Sequence, residues 1–330
     1  MKFQNTSKKQ HYISRVEQRL NTSTPNSPKR YKRIYSFKII DRELYSIEME
    51  GNKAKTIENT LSWQDLFTFD VTTKAVRNNL EFLFNEYESN IEIQTINLIK
   101  NIEKKNNNIK EDLIGLFILK LLNTFRNPYC IKKTLNTVGR AAMYKPLSSD
   151  LAEIFHKIEH GNKPHQQWLC SELGITQAEY VDWLRTLLML LIRPEENLPN
   201  MLEQIVKSLY ETNSQLIKVY VYYYEDKYNE GRGILLSDRG FCVPLISDNI
   251  LAYNFNLSSR AFITYAFIDV DSDAGGKPPK STIDLFNRFS NNVYVELVKD
   301  DLNALATYNR HTVYQSFKHV YCSNKVAYGL

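Results

Sequence analysis

The order of residue patterns predicts an α+β protein: a short N-terminal β segment, a helical middle, and a mostly β C-terminal region with a final helix. Three observations carry this. Two β-rich runs flank Asp41-Arg42, helical apolar spacing sets in at Lys74, and tyrosine-rich strand-like runs begin at Lys218. The expected organisation is a basic segment with a β-hairpin over 1–73, a helical region over 74–217, and a β-rich region over 218–330 that forms one compact unit with 1–73.

Taken in order, NTSTPNSPKR at 21–30 is a polar loop with two prolines, and YKRIYSFKII and ELYSIEME at 31–50 form the hairpin. GNKAK at 51–55 is a turn, and 57–73 fits neither period cleanly. From Lys74, Leu80, Leu83 and Phe84 begin an apolar stripe that runs on to Ile102, and KKNNNIK at 104–110 breaks it. EDLIGLFILKLLNTFR is apolar nearly all round and therefore a buried helix, which Pro128 ends. Residues 148–160 form a helix with a Ser or Asp start and Gly161 as its stop, and two or three more helices fill 165–217. After Lys218 come KVYVYYYE, GILLS, FCVPLIS, AYNFNL and RAFITYAFIDV as strands, KSTIDLFNRFS as a helix and NVYVELV as a strand. DLNALATYNRHTVYQSFKHVY, capped by Asp301, is the last helix.

A chain of 330 residues buries a sizeable core without staples. Eleven glycines argue against a phosphate-cradling loop enzyme, because such loops need residues without a Cβ. Cys130, Cys170, Cys242 and Cys322 have no CxxC spacing and read as buried thiols of a reducing compartment. With no apolar leader, and TLLMLLI at 186–192 far short of a membrane span of about 18 residues, the expectation is a soluble cytoplasmic protein without a membrane partner. Residues 1–42 hold eleven Lys or Arg against Glu17 and Asp41, a net of +9 within a total of +5. Such an end-localised patch is the footprint of nucleic-acid phosphate binding, here through Lys8, Lys9, Arg15, Arg30, Lys32 and Arg33. A solvated arm has the same composition.

Three motifs have bland alternatives. HKIEH at 156–160 matches the H-x-x-E-H pattern of inverted zinc proteases, but no third ligand is identifiable. A polar helix face with histidines near its C-terminus is simpler, and no residue is assigned as a metal ligand. WLCSELGITQAEYVDWLRTLL at 168–188 has helix-turn-helix spacing with Thr176 as cap, which raises a DNA-binding regulator as an alternative function. Its second helix, however, exposes Glu179 and Asp182 with only Arg185 basic, which favours a packed corner. FIDVDSDAGGK at 267–277 alternates oxygens as a calcium loop does, with Ala274 where glycine is needed.

Gln10-His11-Tyr12-Ile13, RIYSF at 33–37, Glu88 with the helix after it, Phe125-Arg126-Asn127-Pro128, Ser237-Asp238, FNLSS at 255–259 and LNALATYNRHTVY together resemble a bacterial family, domain-of-unknown-function family 4238. Ser14 stands where that family has proline, and Arg239 and Gly240 depart from its turn. Some members look like single-gene antiphage defence proteins of mobile bacterial islands, and the resemblance implies that role here. The matching positions nominate His11, Glu88, Arg126 and Asp238 as catalytic. A histidine, an acid and an arginine that converge suit phosphodiester cleavage. Structural readings of the same residues are a helix cap or a Glu88 pair for Arg126, an Asx-turn for Asp238 and a strand anchor for His11. The expected function is thus an antiphage protein that acts on or is triggered by nucleic acid, with a nuclease effector causing abortive infection and a divalent metal as the cofactor suited to it. The alternative is a non-catalytic sensor whose tyrosine-rich β region recognises a phage protein.

Overall fold

The computed structural model describes residues 3–73, 76–104, 109–146, 148–195, 197–211, 215–225, 233–244, 250–269 and 293–330. In chain order it holds β1 (Gln4–Asn5), β2 (Lys9–His11), α1 (Arg15–Leu20), β3 (Arg33–Asp41), β4 (Ser46–Met49), β5 (Lys55–Thr56), β6 (Ser62–Gln64), β7 (Thr68–Val71) and β8 (Arg77–Asn79). Then follow α2 (Glu81–Glu88), α3 (Ile91–Glu103), α4 (Lys110–Phe125), α5 (Ile131–Val138), α6 (Ser149–His160), α7 (Gln166–Leu173), α8 (Gln177–Leu191) and α9 (Met201–Glu211). The rest is β9 (Gln215–Tyr223), β10 (Leu236–Ser237), β11 (Ile250–Ser258), β12 (Ala261–Asp269), β13 (Val293–Lys299), α10 (Leu302–Gln315) and β14 (His319–Cys322). The class is α+β, as the sequence predicts. Among the described residues no helix is long and apolar enough to cross a membrane.

Two compact units share the chain. Unit 1 takes Met1–Ser14, Asn59–Asn90 and Leu121–Ile205, and unit 2 takes Arg15–Glu58, Ile91–Lys120 and Val206–Leu330. Both are assembled from separated stretches.

In unit 1, β1, β8 and β7 form an antiparallel sheet in that order, and β2 pairs with β6. Its central helix is α8, which buries Tyr180, Trp183, Leu184, Leu187 and Leu188. Local chemistry sets both ends of the preceding corner. Gly174 closes α7 at φ +60, and Thr176 caps α8 in a reciprocal capping box with Glu179. Residues 186–191 of α8 are all buried. The stretch 57–73, indefinite by pattern, holds β6 and β7, and β8 occupies 77–79 before helix begins at Glu81. β6 and β8 pair with β2 and β1, distant in sequence, which periodicity does not register, while β7 pairs with the adjacent β8.

Unit 2 has two sheets, β10-β14-β3-β4 with β5 on β3, and β11-β12-β9-β13 with β13 parallel to β9. Phe37, Leu235, Val313 and Val320 pack as one apolar cluster, and Ile234, Phe262, Leu305 and Tyr308 as another. A buried polar cluster sits beside them: Glu17 of α1 and Lys120 of α4 form an ion pair, the Lys120 ammonium also donates to Asn256 O at 2.6 Å, and Asn21 donates to Asn256 Oδ1 at 2.7 Å.

Two expectations are corrected. The final helix does not run to residue 321; it stops at Gln315 and the chain turns into β14. The Asp238 carboxylate captures the N–H groups of Phe317, Lys318 and His319, while Arg42 donates to the carbonyls of Tyr314, Ser316 and Phe317, so the helix is unwound by better partners. FCVPLIS forms no strand among its described residues; Cys242 only bridges Asn254, and Pro244 has no N–H to continue a ladder. The predicted helix at 280–290 and the acidic loop beyond Asp269 lie outside the described residues.

Candidate functional site

Of the four residues nominated by resemblance, Glu88 and Arg126 meet. Glu88 ends α2, Arg126 follows α4, and Arg126 Nη1 lies 2.5 Å from Glu88 Oε1. Arg126 is 1% exposed, lies 4.9 Å over the Phe84 ring, and has no partner for Nε and Nη2 among the described residues. His11 is buried in the same unit at the end of β2, in register with Ser62. The next ring, Tyr12, packs edge-on to Tyr129 at 5.7 Å, which brings the Gln-His-Tyr and Arg-Asn-Pro segments together. Asp238 belongs to unit 2 and is fully buried. Both its oxygens accept backbone N–H groups at 2.7–2.8 Å. Burial pushes its carboxyl up against those three donors, which pull it down. It is a bend-closing aspartate.

A different histidine, acid and arginine converge in unit 1. The ladder between β2 and β6 sets Lys9 opposite Gln64, and on either side of β6 Tyr12 N–H donates to Leu61 O at 3.0 Å and Asp65 N–H to Lys8 O at 2.7 Å. That clamp holds Leu61 and Asp65 at φ +52 and +55, each a left-handed conformation that costs a non-glycine residue about 1–3 kcal/mol. The buried Gln10 carboxamide donates to Thr68 Oγ1 at 2.9 Å and accepts from Phe67 N–H. Thr68 Oγ1 donates to Asp65 Oδ1 at 3.2 Å, and Arg77 Nη1 from β8 donates to the same oxygen at 2.6 Å. The Asp65 side chain is 1% exposed. Its second oxygen, Oδ2, has no hydrogen-bond partner among the described residues and faces His165 Nε2 at 3.5 Å.

His165 arrives on the loop after α6. Gly161 ends that helix against β7, where a Cβ would collide with Phe69 O and Lys157 O, so the close approach requires glycine. Val71 N–H then donates to Asn162 O at 3.0 Å, and Asn162 N–H to Asp70 Oδ1 at 3.3 Å. Burial lowers the ammonium pKa of neighbouring Lys163, with Asp70 opposing. His165 keeps 36% of its side chain exposed. A second contact joins the same two segments: Trp63, two residues before Asp65, lies 5.4 Å from Trp168, three residues after His165. Trp168 is 50% exposed.

Chemically this is an imidazole open to solvent on one side, held near a fixed carboxylate on the other, with an indole pair joining the same two segments and the exposed Lys8 and Lys9 at the start of β2. A carboxylate so placed orients an imidazole for proton transfer, and indole faces accept stacked bases. Lys9 Nζ reaches Asn59 Oδ1 at 2.6 Å. The other nominated basic residues are in unit 2. Arg15 pairs with Glu58 at 3.2 Å, Arg30 lies 4.6 Å over the exposed Tyr31 ring, Lys32 Nζ donates to Pro25 O and Arg33 to Ala54 O. In the β-rich region Tyr224, Tyr265 and Tyr308 are buried, and burial raises their phenol pKa values.

Sequence reasoning gave no catalytic role to Asp65, Arg77 or His165. The available signals were an aspartate followed by LFTF, and GNKPH directly after a capped helix. No family model, curated protein or solved structure matches the chain.

Proposed function

We propose that the protein is a nucleic-acid phosphodiesterase serving bacterial antiphage defence, with His165 as its catalytic residue and Asp65 as the residue that positions it. One observation supports this above the others: His165, a third exposed, approaches the otherwise unpartnered Oδ2 of a buried aspartate whose other oxygen is fixed by Arg77 and Thr68. Imidazole exchanges protons near neutral pH, so one ring nitrogen on Asp65 leaves the other to take a proton from water or a ribose hydroxyl. Trp63 and Trp168 supply stacking faces, and Lys8 and Lys9 supply charge for phosphates. The antiphage role rests on the resemblance to family 4238.

The test is cleavage of labelled single- and double-stranded RNA and DNA by the purified full chain, alongside plating efficiency of phage on cells that express it. His165→Ala lowers cleavage by about 10²–10⁴-fold, the usual contribution of a positioned acid–base group, and abolishes protection. Asp65→Asn lowers kcat more than it raises KM. A folded His165→Ala protein that cleaves and protects like wild type would end this reading, as would a wild-type chain that cleaves none of the four substrates.

A further inference from the structure

We infer that the exposed C-terminal turn of α6 binds one divalent transition-metal ion of the zinc class through His156, Glu159 and His160, a site independent of the proposed phosphodiesterase centre. Residues four apart share a helix face, and here the two imidazole rings lie 4.5 Å apart. Glu159 Oε2 stands 3.7 Å from His160 Nε2, and one potential ligand atom from each of the three residues lies within 4.8 Å of the other two. Small side-chain rotations bring three such atoms to the bond lengths of about 2.0–2.2 Å that zinc takes with imidazole and carboxylate. The exposed face leaves a fourth position for water.

Three surrounding features favour a cation there. The turn is the negative end of the α6 dipole, with Gly161 as the cap. Lys157, the nearest lysine in sequence, is turned to Glu153 at 2.5 Å and does not neutralise the site. Arg185 Nη1 lies 3.5 Å from Glu159 Oε1, the oxygen not facing His160, and Arg185 is itself fixed by Ala142 O at 2.8 Å and by stacking 4.5 Å over Phe155. The glutamate is thus pre-oriented from behind, as outer-shell partners orient metal ligands. Two imidazoles and one carboxylate select zinc, copper, nickel or cobalt over magnesium and calcium, which prefer all-oxygen shells.

Untagged full-length protein titrated with Co²⁺ by visible absorption, and with Zn²⁺ by calorimetry, tests the site. Wild type takes up one equivalent of each. His156→Ala and His160→Ala weaken binding by more than the roughly 10- to 100-fold that loss of an outer-shell partner costs, Arg185→Gln falls within that range, and His165→Ala binds as wild type does. All four positions are at least partly exposed, and circular dichroism confirms that the variants fold. Wild type without a stoichiometric site, or a folded His156→Ala/His160→Ala protein with unchanged affinity, overturns the inference. Loss of metal only in His165→Ala overturns it too, by moving the ion to the other centre.

Discussion

Each unit buries charged side chains in a polar cluster, and the two clusters are finished differently. In unit 2, the Asp238 oxygens accept three backbone N–H groups, and Lys120 is divided between Glu17 and Asn256 O. In unit 1, Asp65 has one oxygen fixed by Arg77 and Thr68 and the other turned to an imidazole about a third exposed. A buried charge satisfied on every side rigidifies a fold. One left with an open oxygen beside a solvent-accessible base has chemistry available to it. The difference lies in the completeness of hydrogen bonding: both Asp238 oxygens accept backbone donors, while Asp65 Oδ2 has no hydrogen-bond partner among the described residues.

Substitutions in the two clusters should therefore have opposite signatures. The largest effect is on activity in unit 1: His165→Ala loses about 10²–10⁴-fold in cleavage, while its unfolding free energy in urea changes by no more than a surface substitution, about 0.5 kcal/mol. Next is Lys120→Met in unit 2, which leaves Glu17 buried without its cation and costs about 3–5 kcal/mol, read by urea unfolding of the full chain. Asp238→Asn follows. The amide replaces one accepting oxygen with a donor that faces backbone N–H groups, at about 1–3 kcal/mol, and hydrogen exchange at 317–319 accelerates. The smallest is a pH effect at His311 of α10, whose Nδ1 lacks a partner among the described residues and whose pKa burial lowers from 6.5. The unfolded chain binds that proton more readily, so stability declines as pH falls below about 6.5, and His311→Gln flattens the decline. If Lys120→Met and His165→Ala were to lose stability and activity in equal measure, the contrast between the clusters would collapse.

Local signals made much of the fold legible. Pro128 after an all-round apolar run, Gly161 after a Ser-led helix and Thr176 before Glu179 each act within one helical turn, and each marks a boundary in the structure. In unit 1, the sequence carried the Glu88–Arg126 pair as one of two readings, and Lys8 and Lys9 among the six nominated basic residues. It did not reveal Asp65, because that residue's setting is made by Lys8 and Gln10 from one stretch, Arg77 from a second and His165 from a third. Nor did it foresee that α10 yields to β14, since the competing donors and acceptors come from Arg42 and Asp238.

The meeting of segment 63–65 with segment 165–168 has a consequence during synthesis. A ribosome makes Asp65 and Trp63 long before His165 and Trp168, so these two contacts form only after half the chain has been made. Any truncated chain that stops before His165 lacks both the imidazole facing Asp65 and the indole facing Trp63.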